Sequence, residues 1–244
     1  RVRSIPATDS QKKYGEESQW TESGELSITD RYVSDGKGKD DQKQWSKPGA
    51  SHQTGWFKEK DVWRLRLPDG RICRSEWYIN NKWYHFDENS VMQTGWIQDG
   101  GKWYHLWGDG QMTVGWARIN DRWYYFYPLP EEGKVQGAMA EPGWRVIGGN
   151  YYYFNADGSM YKGWLLENGR WYYLNTLENS LEGAMFTGWL ERDGKTYFLD
   201  PNGAMVQGWN QIAGSWHYFY PGSGEMARNT HVDGFYVDAD GIWR

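Results

Sequence analysis

Seven Gly-Trp dipeptides punctuate the chain, and six of them are followed seven residues later by a second aromatic. The pairs are Trp56/Trp63, Trp96/Trp103, Trp116/Trp123, Trp144/Tyr151, Trp164/Trp171 and Trp209/Trp216. The seventh lead, Trp189, meets Thr196 at that offset. In a degenerate eighth copy Trp77 follows Glu76, and Trp83 comes six residues on. Successive leads from Trp56 to Trp209 are spaced 21, 19, 20, 28, 20, 25 and 20 residues. Recurrence at a fixed period of roughly 20–50 residues is the mark of a repeat architecture. Eighteen Trp and eighteen Tyr stand in this chain, while Leu, Ile and Val are scarce. Aromatic rings must therefore supply both the packing and any recognition.

Each period reads as one β-hairpin and a connecting loop. Turn residues lie between the paired aromatics: Asn80-Asn81, Asp99-Gly100, Asn120-Asp121, Gly148-Gly149, Asn168-Gly169, Asp193-Gly194 and Gly214. Such dipeptides tolerate positive φ and favour tight primed turns between antiparallel strands. Aromatic runs such as Trp123-Tyr124-Tyr125-Phe126 and Trp171-Tyr172-Tyr173-Leu174 follow, and these read as strands. A second turn closes the period at Asp69-Gly70, Asp109-Gly110, Asp157-Gly158, Asn202-Gly203 and Asp240-Gly241. A lone hairpin is marginal in water, but stacked copies bury a shared face. The fold expected is all-β, a β-solenoid of about nine stacked hairpins over residues 53–244.

All seven methionines (Met92, Met112, Met139, Met160, Met185, Met205, Met226) fall in one slot ahead of a lead, five of them four residues before it. Cys73 lies four residues before Trp77 and reads as the first occupant of that slot, a small apolar filler. Two insertions, residues 128–142 and 176–183, fall in connecting loops, where extra length is tolerated. The last copy, residues 230–243, lacks a lead Trp and reads as a cap. Residues 1–52 are polar and non-repetitive. They read as a linker, with one strand or hairpin between residues 20 and 33.

Alternation along a strand separates two faces. Counting from the lead, the seventh and ninth positions share one face; the eighth and tenth share the other. The eighth and tenth positions, such as Tyr124 and Phe126, read as core. A hairpin of this length is expected to place the lead opposite the seventh-position ring. A ninth-position ring from the next hairpin would then close a three-walled cage, the arrangement that suits a quaternary ammonium.

Composition excludes several functions. Net charge is −5 with both signs interspersed, so no basic patch for nucleic acid exists. No apolar run approaches the roughly 18 residues of a membrane span, and residues 1–20 are too polar for a signal peptide. One cysteine allows no intrachain disulfide. His52 and His231 have no acid partners to form a catalytic set. Asp238 and Asp240 read as turn formers, short of a calcium loop. No phosphate loop or nucleophile elbow occurs, so no enzyme, cofactor or metal is expected.

Repeats such as residues 115–126 and 163–174 resemble the choline-binding, or cell-wall-binding, repeats of Gram-positive surface proteins and phage lysins. The resemblance covers residues 55–244. It implies a left-handed β-solenoid and a ligand, choline, displayed on teichoic acid and held between hairpins by aromatic rings with a nearby Met. It also implies an extracellular, wall-associated module. The sets so implied are Trp96, Trp103 and Tyr125; Trp116, Trp123 and Tyr153; Trp144, Tyr151 and Tyr173; and Trp164, Trp171 and Phe198, with Met112, Met139, Met160 and Met185 beside them. Weaker sets take histidine as third wall: Trp56, Trp63 and His85, and Trp77, Trp83 and His105. These are expected to weaken in acid, because a protonated imidazole repels the ligand. The copies led by Trp189 and by Trp209 are expected to lack a complete cage. Two rival readings remain: a carbohydrate-binding module, and the targeting part of a wall hydrolase whose catalytic domain lies elsewhere.

Overall fold

The computed structural model describes residues 54–130 and 133–244 together with the backbone of Ile28–Asp30. Most of the expected N-terminal segment therefore lies outside the described residues. The described residues are strand, turn or irregular, with no helix among them, and hence none long and apolar enough to cross a membrane.

Nine hairpins follow one another: β2 (Gly55–Glu59) with β3 (Val62–Arg66), β4 (Ser75–Ile79) with β5 (Lys82–Phe86), β6 (Gly95–Asp99) with β7 (Lys102–Leu106), β8 (Gly115–Ile119) with β9 (Arg122–Phe126), β10 (Gly143–Ile147) with β11 (Asn150–Phe154), β12 (Gly163–Glu167) with β13 (Arg170–Leu174), β14 (Gly188–Arg192) with β15 (Lys195–Leu199), β16 (Gly208–Ile212) with β17 (Ser215–Phe219), and β18 (Thr230–Val232) with β19 (Phe235–Val237). β1 (Ile28–Asp30) adds antiparallel to β4, with Thr29 opposite Tyr78. This strand lies within the stretch expected to form one. By contacts the chain divides into two compact units: residues up to Asn120 with Tyr124–Met139, and Asp121–Trp123 with Ala140–Arg244.

Both central turn residues have positive φ, as in Asn120-Asp121 at 49° and 62° and Gly148-Gly149 at 57° and 82°. These are type I′ turns, whose twist matches that of the flanking strands. In β6–β7 the turn pair is Gly100-Gly101, one residue later than expected, because Asp99 still pairs with Lys102 in the ladder. The glycine before each lead also has positive φ, for example 95° at Gly163, where a Cβ would be strained. Ser75 takes that conformation at 61° without being glycine.

The two-residue turn fixes the register. Trp144 opposes Tyr153, and Val146 opposes Tyr151. The lead thus faces the ninth position of its own hairpin, with the seventh position diagonal to it. The expectation that lead and seventh position are directly opposed is corrected by this pairing. Their sharing of one face stands.

The opposite face is the core. Its tenth positions, Phe86, Phe126, Phe154, Leu174, Leu199, Phe219 and Val237, are all but inaccessible. Each pairs through an isolated bridge with the methionine slot, as in Phe126↔Met139 and Leu199↔Met205. Within each unit the methionine backbone also ties one hairpin to the one before it. Met139 N–H donates to the Trp103 carbonyl at 2.8 Å, and Met205 N–H to that of Trp171 at 2.7 Å. The methionine side chain runs on to the next turn: a Cβ built on Gly203 would lie 2.3 Å from the Met185 sulfur. Glycine stands there because φ is +81° and because sulfur occupies the space.

Candidate ligand site

Each candidate site is assembled from two successive hairpins, and the copy led by Trp164 shows its form. Trp164 and Trp171 stand nearly perpendicular, 87° apart, with centroids 6.5 Å apart. From the next hairpin Tyr197 meets Trp164 edge-on at 4.9 Å. Met205 packs into the same cluster and is tied to Trp171 by its backbone. The third ring therefore comes from the eighth position of the next hairpin. Phe198, expected in that role, pairs with Trp189 of its own hairpin at 5.0 Å.

The same shift holds elsewhere within each unit. Trp96 meets Tyr124 at 4.9 Å, Trp144 meets Tyr172 at 5.1 Å, and Trp56 meets Tyr84 at 5.0 Å. The expected third walls instead lie against their own leads: Tyr125 on Trp116, Tyr153 on Trp144, Tyr173 on Trp164 and His105 on Trp96. The eighth position belongs to the core face, so its ring is held from below while its edge reaches the preceding indole. Sequence reasoning passed over Tyr84, Tyr104, Tyr124, Tyr172 and Tyr197 because it assigned that face wholly to packing. Met92 and Met205 join the sites led by Trp56 and Trp164 for the same geometric reason. Trp116 belongs to the first unit; Trp123, Tyr153 and Met160 belong to the second. Within the second, Met160 N–H donates to the Trp123 carbonyl at 2.7 Å.

In the copies led by Trp56, Trp96, Trp144 and Trp209 the seventh-position ring is the accessible wall. Trp63, Trp103, Tyr151 and Trp216 are exposed, whereas the leads Trp96 and Trp164 are partly buried. A ligand could thus approach from solvent and rest on a fixed aromatic floor. The insertions steady this wall. Gln136 accepts the Trp83 indole N–H at 3.1 Å, and Glu182 accepts that of Trp123 at 3.1 Å while pairing with Lys162 at 2.6 Å.

The degenerate copy needs a different alignment. Its turn is Asn80-Asn81, so Ser75 opposes Phe86, Glu76 opposes His85 and Trp77 opposes Tyr84. Glu76 therefore holds the lead slot. Trp77 points to the core face and packs with Tyr84 against Leu65, Cys73, Ile79 and Phe86. The expected set of Trp77, Trp83 and His105 is corrected accordingly: Glu76 and Trp83 share a cleft with Tyr104 and Met112. The same one-residue offset moves the methionine slot to Ile72, which bridges Arg66, and leaves Cys73 buried beside it.

The two C-terminal copies differ from each other. Trp189 meets His217 at 5.0 Å, but Thr196 stands in the seventh position and accepts a bond from Arg228 Nη2 at 2.9 Å. The seventh position of this copy thus carries a hydroxyl bound to a guanidinium in place of an aromatic ring. The copy led by Trp209, expected to lack a third ring, has one: Phe235 lies edge-on at 6.0 Å. The terminal hairpin is shorter, which brings Phe235 into the eighth position in place of Val237, now core. Trp243 takes the methionine slot, donating its backbone N–H to Trp216 at 2.9 Å and packing on Phe235 at 5.3 Å.

Burial lowers the pKa of His85, His105 and His217 from the ordinary value. His105 Nδ1 lies 2.9 Å from Thr113 Oγ1. His85 faces its own hairpin, so the acid weakening expected from a histidine third wall has no basis in the Trp56 copy. The consequence falls on stability instead. A histidine that protonates less readily when folded stabilises fully above the unfolded pKa of about 6.5, and the gain is lost as pH falls below it. The urea midpoint of the ligand-free chain should accordingly drop between about pH 7.5 and pH 5; a flat midpoint would show that these rings are not desolvated.

Comparison with known proteins decides the family. A family model described as a choline-binding repeat matches residues 75–115, 142–181 and 182–231, more than half of the chain. The chain belongs to the choline-binding repeat family. A second model, described as a cell wall binding repeat, matches residues 114–128. Among solved structures the chain is similar to CbpJ of Streptococcus pneumoniae, with 31% identity, a TM-score of 0.64, and coverage of 80% of this chain and 72% of that one. Choline binding protein F of the same organism gives 34%, 0.61, 75% and 61%. The choline-binding domain of CbpL gives 26%, 0.54, 79% and 98%. The modular autolysin LytC, in complex with a synthetic peptidoglycan ligand, is similar at 26% and 0.54, but this chain spans only 42% of it. No curated protein matches significantly. Among the described residues no group of three or more His, Cys, Asp or Glu could hold a metal ion.

Proposed function

We propose that this choline-binding repeat chain is a non-catalytic module that anchors to the cell wall by holding choline of teichoic-acid phosphocholine. The sites are the cages of lead indole, seventh-position ring, next-hairpin eighth-position ring and Met. The observation that carries this reading is the copy led by Trp164. Trp164 stands there nearly perpendicular to Trp171 and edge-on to Tyr197, with the thioether of Met205 in the same cluster. Aromatic faces attract a quaternary ammonium without needing a hydrogen bond, at about 0.5–2 kcal/mol per ring. Complete sets within one unit are Trp56, Trp63, Tyr84 and Met92; Trp96, Trp103, Tyr124 and Met139; Trp144, Tyr151, Tyr172 and Met185; Trp164, Trp171, Tyr197 and Met205; and Trp209, Trp216, Phe235 and Trp243.

Each site alone is weak. Three such contacts, less the cost of ordering the ligand, give a Kd of roughly 1 mM. A polymer carrying many cholines engages several sites, which raises avidity by about 10²–10⁴. Titration with choline, followed by tryptophan fluorescence, should saturate in the millimolar range, while glucose oligomers leave the emission unchanged. No choline response, or an equal response to the sugar, would overturn the reading in favour of none or of glycan binding.

A further inference from the structure

Among the complete sets the ladder places one residue directly against each lead indole. Leu65 faces Trp56, and Tyr153, Tyr173 and Tyr218 face Trp144, Trp164 and Trp209. Opposite Trp96 stands His105. Its ring lies 5.2 Å from the indole, edge-on at 68°. The imidazole is buried among further rings, Trp107 at 5.0 Å and Phe126 of the next hairpin at 6.3 Å. Its Nδ1 lies 2.9 Å from the buried Thr113 hydroxyl, which can accept an N–H from the imidazolium as well as from the neutral ring. On its other side Trp96 meets Tyr124, the eighth-position wall of its cage, at 4.9 Å. None of these neighbours is charged near neutral pH. Burial lowers the pKa of His105, with no charged side chain among the described residues acting on it.

We propose that His105 makes the Trp96 copy acid-sensitive: protonation of this imidazole weakens the hold of Trp96, Trp103, Tyr124 and Met139 on a quaternary ammonium, while copies backed by leucine or tyrosine keep theirs. The inference rests on the cage reading given above and adds regulation to one of its sites. An imidazolium within about 6 Å of an indole centroid is itself a cation–π partner. It draws on the ring that the ligand needs, and it sets a like charge behind that ring. A quaternary ammonium cannot answer by losing a proton, because it has none to lose. Burial keeps the repulsion from being screened as it would be in water. The imidazole is neutral above its ordinary pKa of about 6.5, and the charge appears as pH falls below that value. Affinity at this copy is therefore full near about pH 7.5 and declines toward about pH 5. Leu65, Tyr153, Tyr173 and Tyr218 gain no positive charge over that range. Linkage makes the effect reciprocal: the factor by which the proton weakens choline is the factor by which choline weakens the proton. A polymer engaged at several copies loses one contact in acid and regains it near neutrality.

The test needs one reporter in this cage and another in a tyrosine-backed one. Fluorotryptophan labelling of the full chain provides both, with the Trp103 and Trp171 fluorine resonances assigned through Trp103→Phe and Trp171→Phe. Half-saturation of the Trp103 signal should need about fivefold more choline at pH 5 than at pH 7.5, while the Trp171 signal of the Trp164 copy saturates at one concentration throughout. His105→Tyr, which installs the residue of the sister copies, should make the Trp103 response independent of pH. Tyr173→His should bring the dependence to Trp171. One further measurement needs no variant in the cage: saturating choline should lower the His105 midpoint, followed by its imidazole proton resonance, by the same factor. A Trp103 response that is flat with pH, or that moves in step with Trp171, overturns the proposal. So does a dependence that survives His105→Tyr, or a His105 midpoint that choline leaves in place. Silence of both resonances toward choline at pH 7.5 would overturn the cage reading and this proposal with it, whereas a flat but saturable Trp103 response overturns this proposal alone.

Discussion

Phe126→Ala should destabilise its unit by about 3–5 kcal/mol, the range for truncating a fully buried phenylalanine. Phe126 has no accessible surface and packs with Ala117, Ile119 and Tyr124, with Trp96 and Met139 laid against them. Its ring lies 5.8 Å from that of Trp96. Alanine would leave a cavity that flanking hairpins cannot close, because each hairpin is pinned by a type I′ turn and by the Met139 bond to Trp103. In a stack of repeats, stability is a sum over units and their nearest-neighbour interfaces. The loss should therefore appear as early unfolding of the hairpins around Phe126, before the more distant copies. Urea unfolding followed by hydrogen exchange would reveal it. A loss under about 1 kcal/mol would mean that the tenth position is not the core of the repeat.

Trp164→Ala should remove one binding site outright and weaken column retention more than one site's share. The indole contacts Trp171 at 6.5 Å, Tyr173 at 5.1 Å and Tyr197 at 4.9 Å, so its loss removes one wall of the cage and frees the other two. Local affinity should fall by at least about tenfold, which corresponds to about 1.4 kcal/mol. Because retention on a quaternary-amine matrix depends on linked sites, subtracting one of them cuts avidity multiplicatively. Trp164→Phe keeps a ring in the slot and separates binding from folding: it should retain the fold and most of the site. Calorimetric stoichiometry lower by one in the alanine variant is the expected result. Unchanged stoichiometry in a folded variant would exclude Trp164 from the site.

The corrections of register trace to one piece of arithmetic. Reading outward from the turn pair, position by position, gives the ladder partners: Asn168-Gly169 sets Trp164 against Tyr173, and Asn80-Asn81 sets Glu76 against His85. Reading from the Gly-Trp dipeptide instead misplaced the degenerate copy by one residue. In a strand, one residue moves a side chain to the opposite face. Trp77 thereby became core, and Glu76 took the lead slot. The turn residues carried this information in the sequence all along.

The sequence by itself determined the repeat, the turn type, the two faces of each strand and the buried tenth position, because a period of two residues and a left-handed turn are local properties of the chain. It could not determine which ring of the next hairpin completes a cage. That depends on the lateral offset between stacked hairpins, set by the bonds from the methionine slot back to the seventh position, as in Met185 to Tyr151. It also could not reveal that Gln136 and Glu182, residues of apparently idle insertions, hold the indoles of Trp83 and Trp123. Nor could it show that the shortened last hairpin brings Phe235 and Trp243 to Trp209 and Trp216. These are contacts between residues far apart in sequence, and only packing in three dimensions decides them.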